Sequence, residues 1–431
     1  MSLRVRLGRM RMDLTPLRTS RDFRLLFSAA AVFYLGGMVS YVAVPYQMYS
    51  LTGSNFDVGA IGAVELVPLV VFGLYGGALA DRADRRLMLV STGAAQAVLT
   101  AALLANAALP HPRVWVIYLV AALLSSAQSL QRPSAEALMP RTVTHGQLTA
   151  AVALMSLAMN AGALVGPAVG GVLLQVVGVA WCYAIDVAGI VTATALFARL
   201  RRYPPAAMSH PPSLSSIAEG LRYAVSRKDL LGTYVVDMVA MVMAMPITVF
   251  PAFATHVLHA PSLLGLLYAA EGIGSMLAIG TSGWTSRVHH HGRAVILAAC
   301  AWGTAIALAG LAPTVWLVVA ALVVAGGADM VSGLFRDVIW NQTIPDAKRG
   351  RLAGIELLSY SLGPLGGQVR AGIVADRWTV RGSIVSGGVL CVGGVLLVTA
   401  WLRGMWTYDA RTDEHAARER LLRADSPQPS P

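Results

Sequence analysis

The feature that most constrains the fold is a succession of long apolar segments that recurs along almost the whole chain. Hydrophobic residues make up 56% of the 431 residues and charged residues only 13%, whereas soluble domains carry roughly 25% charged residues. A transmembrane helix needs about 20 apolar residues, so about a dozen spans fit. No stretch alternates with a period of two over ten residues, which argues against a barrel. The sequence therefore predicts an all-α integral membrane protein.

One polar linker divides the apolar segments into two groups of six, which predicts twelve transmembrane helices in two pseudo-symmetric six-helix bundles. The same offset separates Arg132 from Arg336 and Leu148 from Leu352, as expected for a duplicated transporter. The predicted parts are a basic N-terminus over 1–24, a first bundle over 25–200, a linker over 201–229, a second bundle over 230–402 and a disordered tail over 403–431. Among the spans, the fifth is predicted over about 148–176, the seventh over about 230–255 and the tenth over about 315–338.

The loops and termini predict the orientation of the chain. The linker, both termini and the even-numbered connections hold nearly all the loop arginines, so both termini are expected in the cytoplasm. This placement also explains the net charge of +11 without a nucleic-acid partner. Within the linker, an apolar face formed by Leu214, Ile217, Leu221 and Ala224 predicts a short amphipathic helix on the membrane surface.

The connection between the second and third spans, Gly76 to Arg86, combines glycines, an acid and arginines. An aspartate at the C-terminal end of a helix faces the negative end of the helix dipole and needs a partner. The alternative is a positive-inside connector whose charges are solvated and worth about 0–1 kcal/mol per pair. The candidate gating residues are Gly77, Asp81, Arg82, Arg85, Arg86 and, at the end of the fourth span, Glu136.

The fifth span carries closely spaced glycines around a proline. Glycines four residues apart let helix backbones approach closely, and the proline permits a kink. The pattern comprises Gly162, Gly166, Pro167, Gly170 and Gly171. A tight helix contact with no part in transport is an equally good interpretation.

These motifs resemble those of the major facilitator superfamily. The connection after the second span is similar to the family signature, and the fifth span is similar to the motif of its drug:proton antiporters. Three shorter segments, 22–27, 43–45 and 350–352, resemble the branch that includes the enterobactin exporter and macrolide and multidrug efflux proteins. The resemblance covers about residues 14–405. It implies a contact from Asp81 to the start of the eleventh span, pairs between the arginines and Glu136, and a fifth span at the boundary between bundles. The second-half copy of the signature, near 286–291, has lost its acid.

Acidic residues inside the spans are the candidates for proton coupling. Charge in hydrocarbon costs about 2.5–3.5 kcal/mol, so such residues usually face a cavity or a partner. Glu65 and Glu271 rank first, because the family resemblance places spans two and eight at the interface between bundles; Asp237 and Asp329 lie deeper. The competing interpretation is a structural hydrogen bond.

Other side chains within the spans are candidates for contact with substrate. Arg370 is expected to be a buried counter-charge or an anion contact, whereas Arg132 and Arg336 are expected to reach the surface. Tyr34, Tyr46 and Tyr268 are candidates for lining a cavity, although packing against lipid or another helix is an alternative for each.

Taken together, these features predict a monomeric, proton-coupled exporter of amphipathic small molecules, such as drugs, siderophores or secondary metabolites, in the cell membrane. An importer or a transporter-like sensor of the same fold is the alternative. A nucleotide-binding phosphate loop needs Gly-Lys-Ser/Thr, and neither Lys228 nor Lys348 follows a glycine. The chain is expected to be no enzyme and to need no cofactor. The three cysteines lack metal-ligand spacing and His289–His291 reads as a solvated loop, so no metal is expected.

Overall fold

The computed structural model describes residues 13–82, 84–203, 219 and 222–424, with the backbone alone over 74–82, 346–351, 353–358 and 421–424. The amphipathic helix expected in the linker falls largely outside this part of the chain.

The described residues form helices and no strand, which confirms the predicted fold class. Within the described part of the chain, eleven segments are long and apolar enough to cross a membrane. One further helix, α11, has 32 residues and carries more charge. The long helices are α1 (Arg21–Thr52), α2 (Asn55–Arg82), α3 (Arg85–Ala107), α4 (Val114–Leu138), α5 (Leu148–Val176), α6 (Val179–Ala198), α7 (Lys228–Ala244), α8 (Leu264–Gly280), α9 (His291–Leu311), α10 (Val315–Thr343), α11 (Asp346–Arg377) and α12 (Val380–Trp401).

The seventh apolar segment covers Lys228–Val257, close to the predicted 230–255, but its α-helix α7 is interrupted. It ends at Ala244, and the chain continues through a 3₁₀ turn at Ile247–Val249 and a π-helical turn at Phe253–Val257. Pro246 explains the break, because a proline has no N–H to donate and keeps the preceding residue extended. Met245 has the extended backbone that this predicts, with ψ 111°.

Contacts divide the chain into two compact units, and the division runs through α1 and α2. Of the described residues, those within 1–43 and 71–211 form the first unit, and those within 44–70 and 212–431 form the second. In the first unit, Leu26, Leu89, Leu138 and Phe197 belong to one buried cluster. The second unit buries a larger apolar core that includes Phe250, Phe253, Leu267 and Phe335. The bundle boundaries at 200 and 230 stay a prediction.

The expectation of a disordered tail is wrong for residues 403–424. Helices form at Arg403–Thr407 and Glu414–Ala424. Met405 is 1% exposed and Tyr408 4% exposed, and the Ala410 N–H donates to the carbonyl of His289. A few apolar anchors in a highly charged segment therefore hold it against α9. Residues 425–431 lie outside the described part.

Candidate functional site

A buried ion pair lies inside the second unit. Asp237 on α7 and Arg336 on α10 form a salt bridge, and the two residues are 4% and 3% exposed. The Ser359 hydroxyl of α11 donates to the second carboxylate oxygen of Asp237 at 3.3 Å. Three helices thus converge on one carboxylate. The low-dielectric surroundings strengthen this pair and make either charge costly without the other.

Aromatic rings cover the guanidinium. The Arg336 Cζ atom lies 5.5 Å from the ring centre of Tyr360, within the range of a cation–π contact. Trp340 packs edge-on against Tyr360 and stacks on Tyr234, with ring centres 5.9 Å and 5.1 Å apart. The Trp340 indole N–H donates to Thr233 Oγ1 at 2.8 Å. These contacts fix the position of Arg336 between α7, α10 and α11.

Two further acids extend this site along α10 and α8. Asp329 precedes Arg336 by two helical turns and interacts electrostatically with both Arg336 and Asp237, while Glu271 interacts with Asp329. The helices touch here, because a Cβ at Gly326 would lie 1.9 Å from the carbonyl oxygen of Glu271. One buried carboxyl oxygen of Glu271, Oε1, has no hydrogen-bond partner among the described residues. The structure therefore brings together three of the four predicted acids, which we call the charge cluster: Asp237, Glu271, Asp329 and Arg336.

The fourth acid, Glu65, lies half-buried on α2, in the segment that belongs to the second unit. Nearby glycines bring this segment close to α11. A Cβ at Gly59 would lie 2.5 Å from the carbonyl oxygen of Gln368, and one at Gly62 would lie 2.9 Å from that of Leu365. Glu65 therefore lies on α2 beside the close contact with α11, whereas the other three acids lie on α7, α8 and α10.

The roles expected for the arginines are partly wrong. Arg336 was expected to reach the surface, but it is the buried counter-charge. Arg370 instead donates to the carbonyl of Ser383 at 3.1 and 3.0 Å and to the Ser386 hydroxyl at 3.3 Å, and no described carboxylate pairs with it. Arg132 follows the expectation and makes an exposed pair with Glu136 at 2.8 Å.

That pair engages one carboxylate oxygen of Glu136, and the pairing expected between Glu136 and the gating arginines stays a prediction. Glu136 contacts Arg132, whereas Arg85 donates to the carbonyl of Ala137 at 2.8 Å and Arg86 to that of Ala198. The two arginines satisfy carbonyls at the C-terminal ends of α4 and α6, where cations are favourable. The side chains of Gly77, Asp81 and Arg82 lie outside the described residues, so their gating role stays a prediction.

The three tyrosines have different surroundings. Tyr268 is 7% exposed, its hydroxyl donates to the carbonyl of Ile247 at 3.1 Å, and its ring packs edge-on against Phe250, so it belongs to the core. Tyr34 on α1 is half-buried and packs against α5. Tyr46 lines a small cavity of about 300 Å³ with Tyr49 and His256. Contact between Tyr46 and substrate stays a prediction.

The glycines of the fifth span face α1 within the first unit. A Cβ at Gly162 would lie 3.1 Å from that of Tyr34, and one at Gly166 would lie 2.3 Å from that of Met38. At Gly170 the contact is to the carbonyl oxygen of Val39, at 3.1 Å. Pro167 and Gly171 are buried as well. This packing needs residues without side chains; a part in coupling stays a prediction.

Replacing Gly166 by alanine is expected to destabilise the protein by about 1–3 kcal/mol, because the added methyl group forces α1 and α5 apart. Thermal unfolding in detergent measures the effect. Gly146→Ala is the control, since a Cβ there would meet nothing within 4 Å. Equal melting temperatures for the two variants would contradict the packing argument.

Sequence reasoning missed one carboxylate, Asp376, and the partner of a second, Asp186, which it noted only as an acid near the outer end of the sixth span. Asp376, at the end of α11, accepts hydrogen bonds from the Ser54 hydroxyl at 2.8 Å and from the backbone N–H groups of Asn55 and Phe56, both at 2.9 Å. Asp186 on α6 is 4% exposed and accepts from the Ser40 hydroxyl on α1. Ser54-Asn55 at a helix start was a visible capping signal, but its partner lies over three hundred residues away.

The family that this chain matches defines its class: a multi-pass membrane transporter rather than an enzyme. The chain belongs to the family of transmembrane secretion effectors within the major facilitator superfamily, whose match covers residues 12–426. It is thus a secondary transporter of small molecules.

Curated relatives include the enterobactin exporter EntS of Shigella boydii serotype 18, which is 29% identical over 389 residues, 90% of this chain and 93% of the relative. EntS of Escherichia coli O1:K1 / APEC is 28% identical with the same coverage. Among solved structures, the nucleoside transporter NupG has a TM-score of 0.69 at 14% identity, covering 90% of this chain and 100% of its own. A bacterial homologue of the human lysosomal transporter Spinster has a TM-score of 0.67 at 14% identity, covering 94% and 98%. These two structures support the fold alone.

Proposed function

We propose that the protein exports amphipathic small molecules across the cell membrane by alternating access, in exchange for protons, with both termini in the cytoplasm. The candidate substrates are drugs, siderophores and secondary metabolites. Siderophores are supported by the enterobactin exporters, which are relatives over most of the chain. The observation that carries the coupling proposal is the buried charge cluster of the second unit.

The cluster suits proton coupling because Arg336 can pair with a second acid when Asp237 is neutral. With Asp237 ionised, Arg336 is paired and both are stable in the interior. A proton delivered to Asp237 neutralises it and leaves Arg336 seeking another carboxylate, and Asp329 lies on the same helix face within electrostatic reach. Transfer of the guanidinium to Asp329, on the same helix, removes the ion pair that joins α10 to α7 and so lets the two helices move apart. Proton binding is thereby linked to a rearrangement of packed helices, which is what alternating access requires.

The direct test is transport in inside-out membrane vesicles that contain the protein. We expect a pH gradient with an acidic vesicle lumen to drive accumulation of a fluorescent amphipathic substrate in the lumen. A protonophore is expected to abolish this accumulation, because it dissipates the proton gradient that drives transport. A panel of dyes, macrolides and siderophores identifies the substrate class. Vesicles without the protein are the control. Uptake that survives the protonophore would contradict the coupling mechanism.

The alternatives are an importer and a sensor of the same fold. An importer would accumulate substrate in right-side-out vesicles under the opposite gradient, and a sensor would accumulate it in neither preparation. The proposal of export rests on the secretion-effector family and on its exporter relatives.

A further inference from the structure

An apolar groove of about 770 Å³ runs between α8, α9 and α10 of the second unit. Small and aliphatic side chains line it, among them Gly274, Leu277, Ala294, Leu297, Ala301 and Val324. Leu277, Leu297 and Val324 are 59%, 60% and 59% exposed. Exposed apolar side chains in the middle of membrane-spanning helices face hydrocarbon, since their contact with water would be unfavourable. The groove therefore opens toward the lipid.

One end of this groove is aromatic and cationic. Its lining there includes Trp284, His290 and Arg293. The Arg293 Nε–H donates to the carbonyl of Trp406 at 3.2 Å, and the guanidinium lies 5.5 Å from the ring centre of that residue. No described residue accepts from the two terminal amino groups of Arg293. The Arg293 guanidinium is thus a permanent cation at the mouth of the groove, and its two terminal amino groups are available to donate hydrogen bonds to a ligand.

The neighbouring charges leave this mouth positive. His290 Nδ1 lies 3.6 Å from the Asp409 carboxylate, which is the acid of the tail that faces the site. Arg287 lies in the turn that precedes α9, and Arg411 contacts His289. Three arginines against one acid make the mouth attractive to an anion even when the histidines are neutral.

We propose that this groove binds an anionic phospholipid, with one acyl chain between α8 and α9 and the phosphate at Arg293. Arg293 and Ala301 are eight residues apart on α9, so the apolar floor is about 12 Å long at the helical rise of 1.5 Å per residue. Tryptophans at helix ends favour the headgroup level of a bilayer, and basic pockets between transmembrane helices bind anionic headgroups. A zwitterionic headgroup carries its own cation, which competes with Arg293 for the phosphate.

The test is lipid titration of the delipidated full-length protein, followed by native mass spectrometry at neutral pH. Phosphatidylglycerol and phosphatidylcholine with identical chains are compared. We expect phosphatidylglycerol to bind about five-fold more tightly, and Arg293→Gln to remove this preference, because one arginine near anionic lipid contributes that factor. Ala301→Trp fills the floor and is expected to weaken binding of both lipids.

Arg403→Gln is the matched control, because Arg403 is exposed near the same membrane surface and does not line the groove. Equal binding of the two lipids by the unmodified protein would overturn the proposal and assign the groove to bulk lipid. So would a phosphatidylglycerol preference in Arg293→Gln that equals that of Arg403→Gln. If Ala301→Trp fails to fold, as judged by thermal unfolding, the comparison of the two arginine variants still decides. Lipid binding is measured without substrate or gradient, so its failure is distinct from failure of the transport proposal.

Discussion

Replacing Asp237 by asparagine is expected to abolish proton-driven transport and to destabilise the second unit. The variant leaves Arg336 buried at 3% exposure without its ionised partner. Breaking a buried pair in this way costs about 3–5 kcal/mol. Asp329 compensates for part of this cost if the guanidinium moves to it. Coupling is lost in either case, because an amide takes up no proton, and we expect at least about a ten-fold fall in gradient-driven flux.

Two further variants separate coupling from folding. In Asp237→Asn/Arg336→Gln no buried charge remains at the pair, so we expect stability to return toward that of the unmodified protein while transport stays lost. Asp337→Asn is the control for loss of an acid beside the pair rather than within it, because Asp337 is the next residue on α10, is exposed and accepts a hydrogen bond from Tyr360 at 3.3 Å. Vesicle flux and thermal unfolding are measured for all three. Full gradient-driven flux in Asp237→Asn would remove this pair from the mechanism.

The charge cluster shows which part of a site can be predicted from sequence. Acids within apolar spans are conspicuous, and three of the four predicted acids do lie together. Arg336 was misjudged because the predicted tenth span ended near residue 338, whereas α10 continues to Thr343. Those extra residues place the guanidinium more than a turn deeper. Its partner is on another helix, and helix pairing depends on packing that no local pattern contains.

The fold was more predictable than the contacts because membrane hydropathy is a local property. The fifth span begins and ends where the sequence placed it, at Leu148 and Val176. The tail was misjudged for the opposite reason: its average composition is highly charged, while its folding depends on a few anchors. A Cβ at Gly292 would lie 1.8 Å from the carbonyl oxygen of Met405, so the tail packs directly on the α9 backbone. Such contacts between distant segments leave no signal in composition.

The Asp376 carboxylate joins the end of α11 to the start of α2. It accepts four hydrogen bonds from the N-terminal end of α2, including one from the Asn55 side chain at 2.9 Å. It thereby satisfies N–H groups that a helix start leaves unpaired and places negative charge at the positive end of the dipole. Glycine lets the backbones meet there, since a Cβ at Gly372 would lie 2.3 Å from the carbonyl oxygen of Asn55. We propose that this end of α2 must leave α11 once in each transport cycle.

Asp376→Ala is therefore expected to favour the conformation in which α2 and α11 are separated at this end. Asp376 is partly exposed to solvent, so we expect the loss to resemble that of an ordinary helix cap, about 1 kcal/mol, which changes a two-state population about five-fold. Spin labels at Phe56→Cys and Trp378→Cys, both exposed positions, report the distance by pulsed electron resonance. Arg377→Gln is the control, because it removes an adjacent exposed charge and leaves the cap intact. A distance distribution identical in the two variants would show that this contact caps a helix without holding the transporter closed, and the gate would then have to lie elsewhere.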